Sequence, residues 1–130
     1  MSLAFDTSIL IEIERRNPKI IEKINNMSES YPTSPQLPFI SYYEFIQGLK
    51  IKNPKDYEKK FAFANKFSVL KTSKKSAEIL ADLKIKYEKI GFSFPLADLL
   101  IAAQTIENNL ILISLDKDFE KIEELKKIIL

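Results

Sequence analysis

The feature that most narrows the fold is a rhythm. Short apolar runs, each bounded by turn-forming residues, alternate along the chain with longer stretches of helical periodicity. The runs are Ser2–Phe5, Leu37–Ile40, Phe67–Leu70, Leu110–Ser114 and Lys127–Leu130. The clearest is LILIS, Leu110–Ser114. Near-continuous apolar strands of this kind belong to sheets buried on both faces, and helices between them imply parallel pairing. The sequence therefore predicts an α/β fold, a three-layer α/β/α sandwich with a central, mostly parallel sheet of about four or five strands.

The helical stretches fill the gaps. One runs from Thr7 to about Arg16, and after the Asn17-Pro18 break another continues to about Ser28. Residues 28–38, SESYPTSPQLP, hold three of the six prolines and read as a loop. Ser41 is the expected start of a helix ending near Asn53-Pro54, and a further helix covers Pro54 to about Lys66. Ser73 or Ser76 opens a long amphipathic helix that Gly91 stops. Pro95 fits the first turn of the next, which ends at Asn108-Asn109. Asp116 opens a short helix reaching Glu124. There are no repeats, and the 130-residue length suits one domain spanning residues 1–130.

Composition removes several chemistries. With no histidine, imidazole bases, Ser-His triads and histidine metal ligands are all absent. With no cysteine, disulfides and thiolate metal sites go too. An enzyme built on this chain works with carboxylates, Lys, Arg, Tyr, Ser or Thr, and oxygen-rich sites suit Mg²⁺, Mn²⁺ or Ca²⁺. A net charge of +2 is too mild to argue nucleic-acid binding by itself. The opening residues MSLAFDTS carry an acid and no long apolar stretch, so we expect no signal peptide, no membrane span and a cytoplasmic location.

In open α/β sheets the functional crevice lies beyond the carboxyl ends of the strands. Four acids fall there. Asp6 follows the first strand directly, Glu44 follows the second, and Asp116 follows LILIS. Asp98 sits in the first turn of the helix that leads into LILIS. If the first strand is central, all four converge. Each has a plain structural reading as well. Asp6 and Asp116 can cap the helices they precede, and Glu44 completes a Ser41-x-x-Glu capping box. Asp98 is harder to dismiss, because FPLADLLIAAQ, residues 94–104, is otherwise apolar. An unpaired carboxylate there costs several kcal/mol or takes up a proton. A divalent cation removes the penalty for the whole set.

Four stretches in order, LAFDTSILIEI, FISYYEFIQGL, PLADLLIAAQ and LILISLDKDFEKI, resemble the motifs of PIN-domain nucleases, specifically the VapC-type toxins of VapBC toxin–antitoxin pairs. The likeness runs from residue 3 to about residue 129. It implies a PIN-like fold and Asp6, Glu44, Asp98 and Asp116 as the catalytic, metal-binding quartet. Thr7 and Ser114 match supporting hydroxyl positions, and Asp118 a further acid. Ser8 stands where many members have asparagine. The resemblance also implies hydrolysis of RNA phosphodiesters with Mg²⁺ or Mn²⁺, a cognate antitoxin that wraps a groove formed by the early helices, and a homodimer. A housekeeping RNA-processing nuclease and a catalytically dead PIN scaffold are the competing readings. A phosphoacceptor fold would want Asp-x-Asp after the first strand, which Asp6-Thr7-Ser8 lacks.

Other features are weaker. Lys117 is the candidate cation for the rim of the cleft, while Arg15 and Arg16 read as surface or partner contacts. Tyr42, Tyr43, Phe45, Phe61, Phe63 and Phe67 read mostly as core or interface rather than as base-stacking platforms. Ile9, Ile13, Ile20 and Ile24 suit either the core or the groove.

Overall fold

The computed structural model describes residues 1–130. Its elements in chain order are β1 (Leu3–Phe5), α1 (Thr7–Glu14), α2 (Pro18–Met27), β2 (Gln36–Leu37), α3 (Phe39–Lys52), α4 (Tyr57–Asn65), β3 (Ser68–Val69), α5 (Lys74–Lys89), α6 (Leu96–Glu107), β4 (Ile111–Ser114), a 3₁₀ turn at Lys117–Lys121, and β5 (Lys127–Ile129). The five strands form one sheet in the order β3-β2-β1-β4-β5, and every pairing is parallel. The expected α/β/α layering is present, with β1 in the centre.

Period-two side-chain alternation splits the core between the two faces of the sheet. Ala4 of β1 and its register partner Leu112 of β4 face α5 and α6, where Leu83, Tyr87, Leu99, Ala102 and Ala103 pack. Leu3, Phe5 and Ile113 point the other way, onto Ile9, Leu10, Ile20, Phe45, Leu49 and Ala64 of α1 to α4. Ile9 and Ile20 are thus core, while Ile13 and Ile24 pack partly buried at its margin. Of the aromatics, Phe45, Phe63 and Phe67 join Phe5 in a chain of ring contacts inside this layer. Tyr43 stays outside.

Local signals account for most boundaries. Asn17 caps α2 through its side-chain carbonyl, with Pro18 at the first helical position. Ser73, not Ser76, is the cap of α5, and Ser76 closes the reciprocal capping box. Gly91 ends that helix at φ +88°, a conformation that suits glycine.

Three expectations are corrected. The second strand is only Gln36–Leu37, and α3 begins at Phe39 rather than Ser41. Ile40 is apolar because it packs on the α5–α6 core, while Phe39 lies on the outer side of α3. The Phe39 N–H, which has no cap of its own, donates to Gln104 Oε1 of α6 at 2.9 Å. Second, α4 starts at Tyr57, three residues beyond Pro54. Third, the expected helix to Glu124 is a single 3₁₀ segment, closed early because Phe119 and Ile122 turn into the core.

Candidate active site

Asp6 leaves the end of the central strand and is 4 % exposed. Its Oδ1 accepts from the Ile9 N–H at 3.1 Å, so it does cap α1. The same carboxylate accepts from the Ser8 hydroxyl at 2.6 Å and from the Ser114 hydroxyl at the end of β4. Burial raises its carboxyl above the usual range, although the hydrogen bonds from Ser114, Ser8 and Ile9 oppose this; nearby Asp116 adds to the rise. The two serines also hold the neighbouring loop. Ser8 Oγ accepts from the Leu115 N–H at 3.1 Å, and Ser114 Oγ accepts from the Asp116 N–H at 2.9 Å. Asp116 in turn caps the 3₁₀ turn by accepting from the Asp118 N–H at 2.9 Å. Capping and membership of the cluster are thus combined in single residues.

Glu44 reaches the same edge from α3. Its Oε1 accepts from the Thr7 hydroxyl at 2.5 Å. The capping box expected with Ser41 does not form: Ser41 lies inside α3, buried and without a hydrogen-bond partner. Asp98 enters from the first turn of α6, whose following residues Ile101–Thr105 are all buried. Burial comes first among the causes that push its carboxyl up to about 6. The charges of Asp116, Glu44, Asp6 and Asp118 follow in that order. All four predicted acids therefore interact, and Asp98 senses every one of the others. Asp118 lies at the margin, exposed and paired with Lys121 at 3.5 Å.

The chain holds 20 lysines and arginines, yet none forms an ion pair with Asp6, Glu44, Asp98 or Asp116. Like charges gathered without a counter-charge are what a cation would relieve. The donors are all carboxylate or hydroxyl oxygens, the type that Mg²⁺ and Mn²⁺ take. By charge and donor type the residues fit such an ion. They are not preassembled as a closed shell, since no group of three or more acids is close enough to hold one.

Comparison with known proteins follows the same line. Residues 3–125 match the PIN domain. The chain belongs to the PIN-domain family. PIN domains are nucleases, and the resemblance read from the four motifs is borne out at that level. No curated protein matches this PIN domain. Among solved structures it is similar to VapBC2 from Rickettsia felis bound to a promoter DNA fragment, at 18% identity and a TM-score of 0.83, covering 100% of this chain and 99% of that one. It is also similar to VapBC-1 from nontypeable Haemophilus influenzae, at 24% identity and a TM-score of 0.80, with 99% and 98% covered. A third is VapBC-5 from Mycobacterium tuberculosis, of the VapBC family of toxin-antitoxin systems, at 19% identity, a TM-score of 0.75 and 100% of both chains covered. These likenesses establish the fold.

The sequence pattern did not single out two residues. Ser8, noted only as a departure from asparagine, is a bridge between Asp6 and the loop after β4. Its signal was its place beside the Asp6-Thr7 pair, where a hydroxyl can do an amide's work. Gln104, the last residue of FPLADLLIAAQ, is fully buried and ties α6 to α3. A buried glutamine in an apolar helix was a signal of the same kind as Asp98.

Proposed function

We propose that this PIN domain, residues 1–130, is a metal-dependent endoribonuclease acting as the toxin of a type II toxin–antitoxin pair. The observation that carries the reading is the set of four carboxylates without a cation partner at the carboxyl edge of the central strands. Asp6, Asp98 and Asp116 would hold Mg²⁺ or Mn²⁺ directly, and Glu44 would hold it through water or orient the nucleophile. The ion, when bound, supplies an acidified water and offsets charge developing on the phosphate.

The remaining work falls to the protein. Ser8, Ser114 and the Ile9 N–H fix both oxygens of Asp6, and Thr7 fixes one oxygen of Glu44. Hydrogen bonds of this kind hold the rotamers of metal-binding carboxylates. Asp118 supports the rim. The resemblance supplies the products, a 3′-hydroxyl and a 5′-phosphate.

A cognate antitoxin and a homodimer complete the proposal. The three structures above were solved as VapBC assemblies. The outer side of α3 offers an apolar groove lined by Phe39, Tyr42, Tyr43, Ile46 and Ile51, with Phe39 and Tyr43 nearly half exposed. Apolar patches of this kind favour an interface between chains. No helix is long and apolar enough to cross a membrane, in keeping with the proposed cytoplasmic location.

The test is RNA cleavage by the purified chain with Mg²⁺, with Mn²⁺ and with EDTA, alongside Asp98→Asn. Cleavage that requires metal and disappears in the variant is the expected result. Equal cleavage by both proteins would remove Asp98 from the site. If neither protein cleaves RNA, metal binding that depends on Asp98 would favour a narrow RNA target, and absence of metal binding would favour a scaffold role.

A further inference from the structure

We propose that the RNA strand runs from the acidic cleft along a basic trough over α1, α3 and α4, where Arg16, Lys59 and Lys66 hold its phosphates. This rests on the RNA-cleaving reading above. Two cavities make the trough. One, of about 150 Å³, begins at Glu44, a member of the acid cluster, and extends past Arg15 and Lys52 to Lys60. The other, of about 410 Å³, is lined by Arg16, Lys59, Lys60 and Lys66 with Glu14 and Asp56, beside Ile13 and Phe63. Glu14 and Lys60, paired at 2.9 Å, line both, so the two cavities adjoin at that ion pair.

The charges in the trough are unequal in kind. Lys60 is taken up by Glu14 at 2.9 Å and Asp56 at 4.0 Å, and Arg15 by Glu12 at 3.6 Å. Arg16, Lys52, Lys59 and Lys66 have no acidic partner. For a chain of net charge +2, four free cations along two adjoining cavities are a strong local concentration. Their sign is opposite to that of the cleft they lead from. A positive groove that follows the backbone is how proteins hold single strands without reading sequence.

Arg16 adds a second observation. Its φ is +60°, in the left-handed region. The other non-glycine residues there are Asn53 and Asn109, and asparagine adopts that conformation readily. An arginine at such a turn costs of order 1 kcal/mol, and here it shares the groove with Glu14 and Asp56, both engaged by Lys60, and forms no ion pair itself. A protein partner would instead need exposed apolar anchors. The largest of those lie elsewhere, at Ile51, Ile85, Ile90 and Leu96.

The measurement is binding of a fluorescent single-stranded RNA oligonucleotide across a salt series in EDTA, which separates binding from cleavage. The wild type is compared with Arg16→Asn/Lys59→Gln/Lys66→Gln. All three positions are exposed, and asparagine suits the backbone at residue 16. A control removes three other exposed, unpaired lysines by Lys71→Gln/Lys74→Gln/Lys89→Gln. The trough variant is expected to bind about tenfold more weakly, with a log–log salt slope shallower by about 2. The control should stay within about twofold of the wild type.

Equal affinity and slope in the trough variant would overturn the proposal, and would leave the groove to a protein partner. An equal loss in the control, or no RNA binding by the wild type, would overturn it as well. If binding falls only in the trough variant while the wild type cleaves no RNA with Mg²⁺ or Mn²⁺, the trough stands and the cleavage reading falls.

Discussion

Two carboxylates, Glu124 and Asp98, meet opposite treatment. Glu124 accepts from Lys86 at 2.9 Å and from the Tyr87 hydroxyl at 2.6 Å, and its carboxyl lies below the usual range even though burial works against this. Asp98 has no cation and no hydroxyl donor of its own; burial and four neighbouring acids push it up to about 6. The protein has the means to neutralise an acid and applies them only at the first. Leaving acids uncompensated sacrifices stability, and under the proposed function a bound cation would restore the balance.

The largest test of that contrast is Asp98→Asn. Metal-dependent RNA cleavage is expected to fall by at least about 100-fold, measured as initial rate at saturating metal. The same substitution should stabilise the metal-free protein at neutral pH by about 1 kcal/mol, after allowing for solvent screening of a partly buried group. Urea denaturation in EDTA checks this, and a loss of stability would break the comparison.

Next in size is Ser8→Ala. It removes a hydrogen bond to Asp6 and leaves the Leu115 N–H unpaired. Activity should drop by about tenfold, with a stability loss of about 1 kcal/mol. Metal titration should show weaker apparent affinity, and unchanged affinity would mean that Ser114 and the Ile9 N–H suffice.

The pH dependence separates the two acids by sign. Asp98 is raised in the folded state, so between about pH 4 and pH 6 the native protein binds more protons than the unfolded chain. Its effect on stability is therefore a decline as pH rises through that window, flat above it, and absent in Asp98→Asn. Glu124 is lowered, so its contribution is present above its ordinary value near 4.5 and is lost as pH falls further. Melting temperature in EDTA across pH 3.5 to 7, compared between wild type and variant, isolates the Asp98 part.

The smallest effect is expected for Tyr87→Phe. The hydroxyl donates to Glu124 and accepts from the Glu123 N–H at 2.8 Å. Its loss should cost about 1 kcal/mol, with cleavage per folded molecule unchanged. Altered activity would mean that the α5 side of the molecule communicates with the cleft.

Legibility in the sequence followed the range of the forces involved. LILIS, the Gly91 stop and the Asn17-Pro18 boundary all rest on local pattern, and all appear in the structure; the central place of the first strand was a condition of the reading that only the strand order supplies. The start of α3 did not, because the donor it must satisfy finds its acceptor 65 residues away on α6. Ser41-x-x-Glu44 has the spacing of a capping box but sits one turn inside the helix, where Glu44 turns to Thr7 instead. At the candidate site, the acids stood out by their places after strands, and Asp98 by its apolar surroundings. Ser8 did not, since a hydroxyl earns its role only when a second strand end arrives beside it.

The hydrogen bond from Phe39 to Gln104 has a consequence for anyone redesigning the cleft. It joins the helix that carries Glu44 to the helix that carries Asp98 without involving either carboxylate. Removing that one side chain would leave the Phe39 N–H without its acceptor and take away a tie between the two acid-bearing helices. The cleft is thus braced from inside the protein, as an arch is by a stone that never shows on its face.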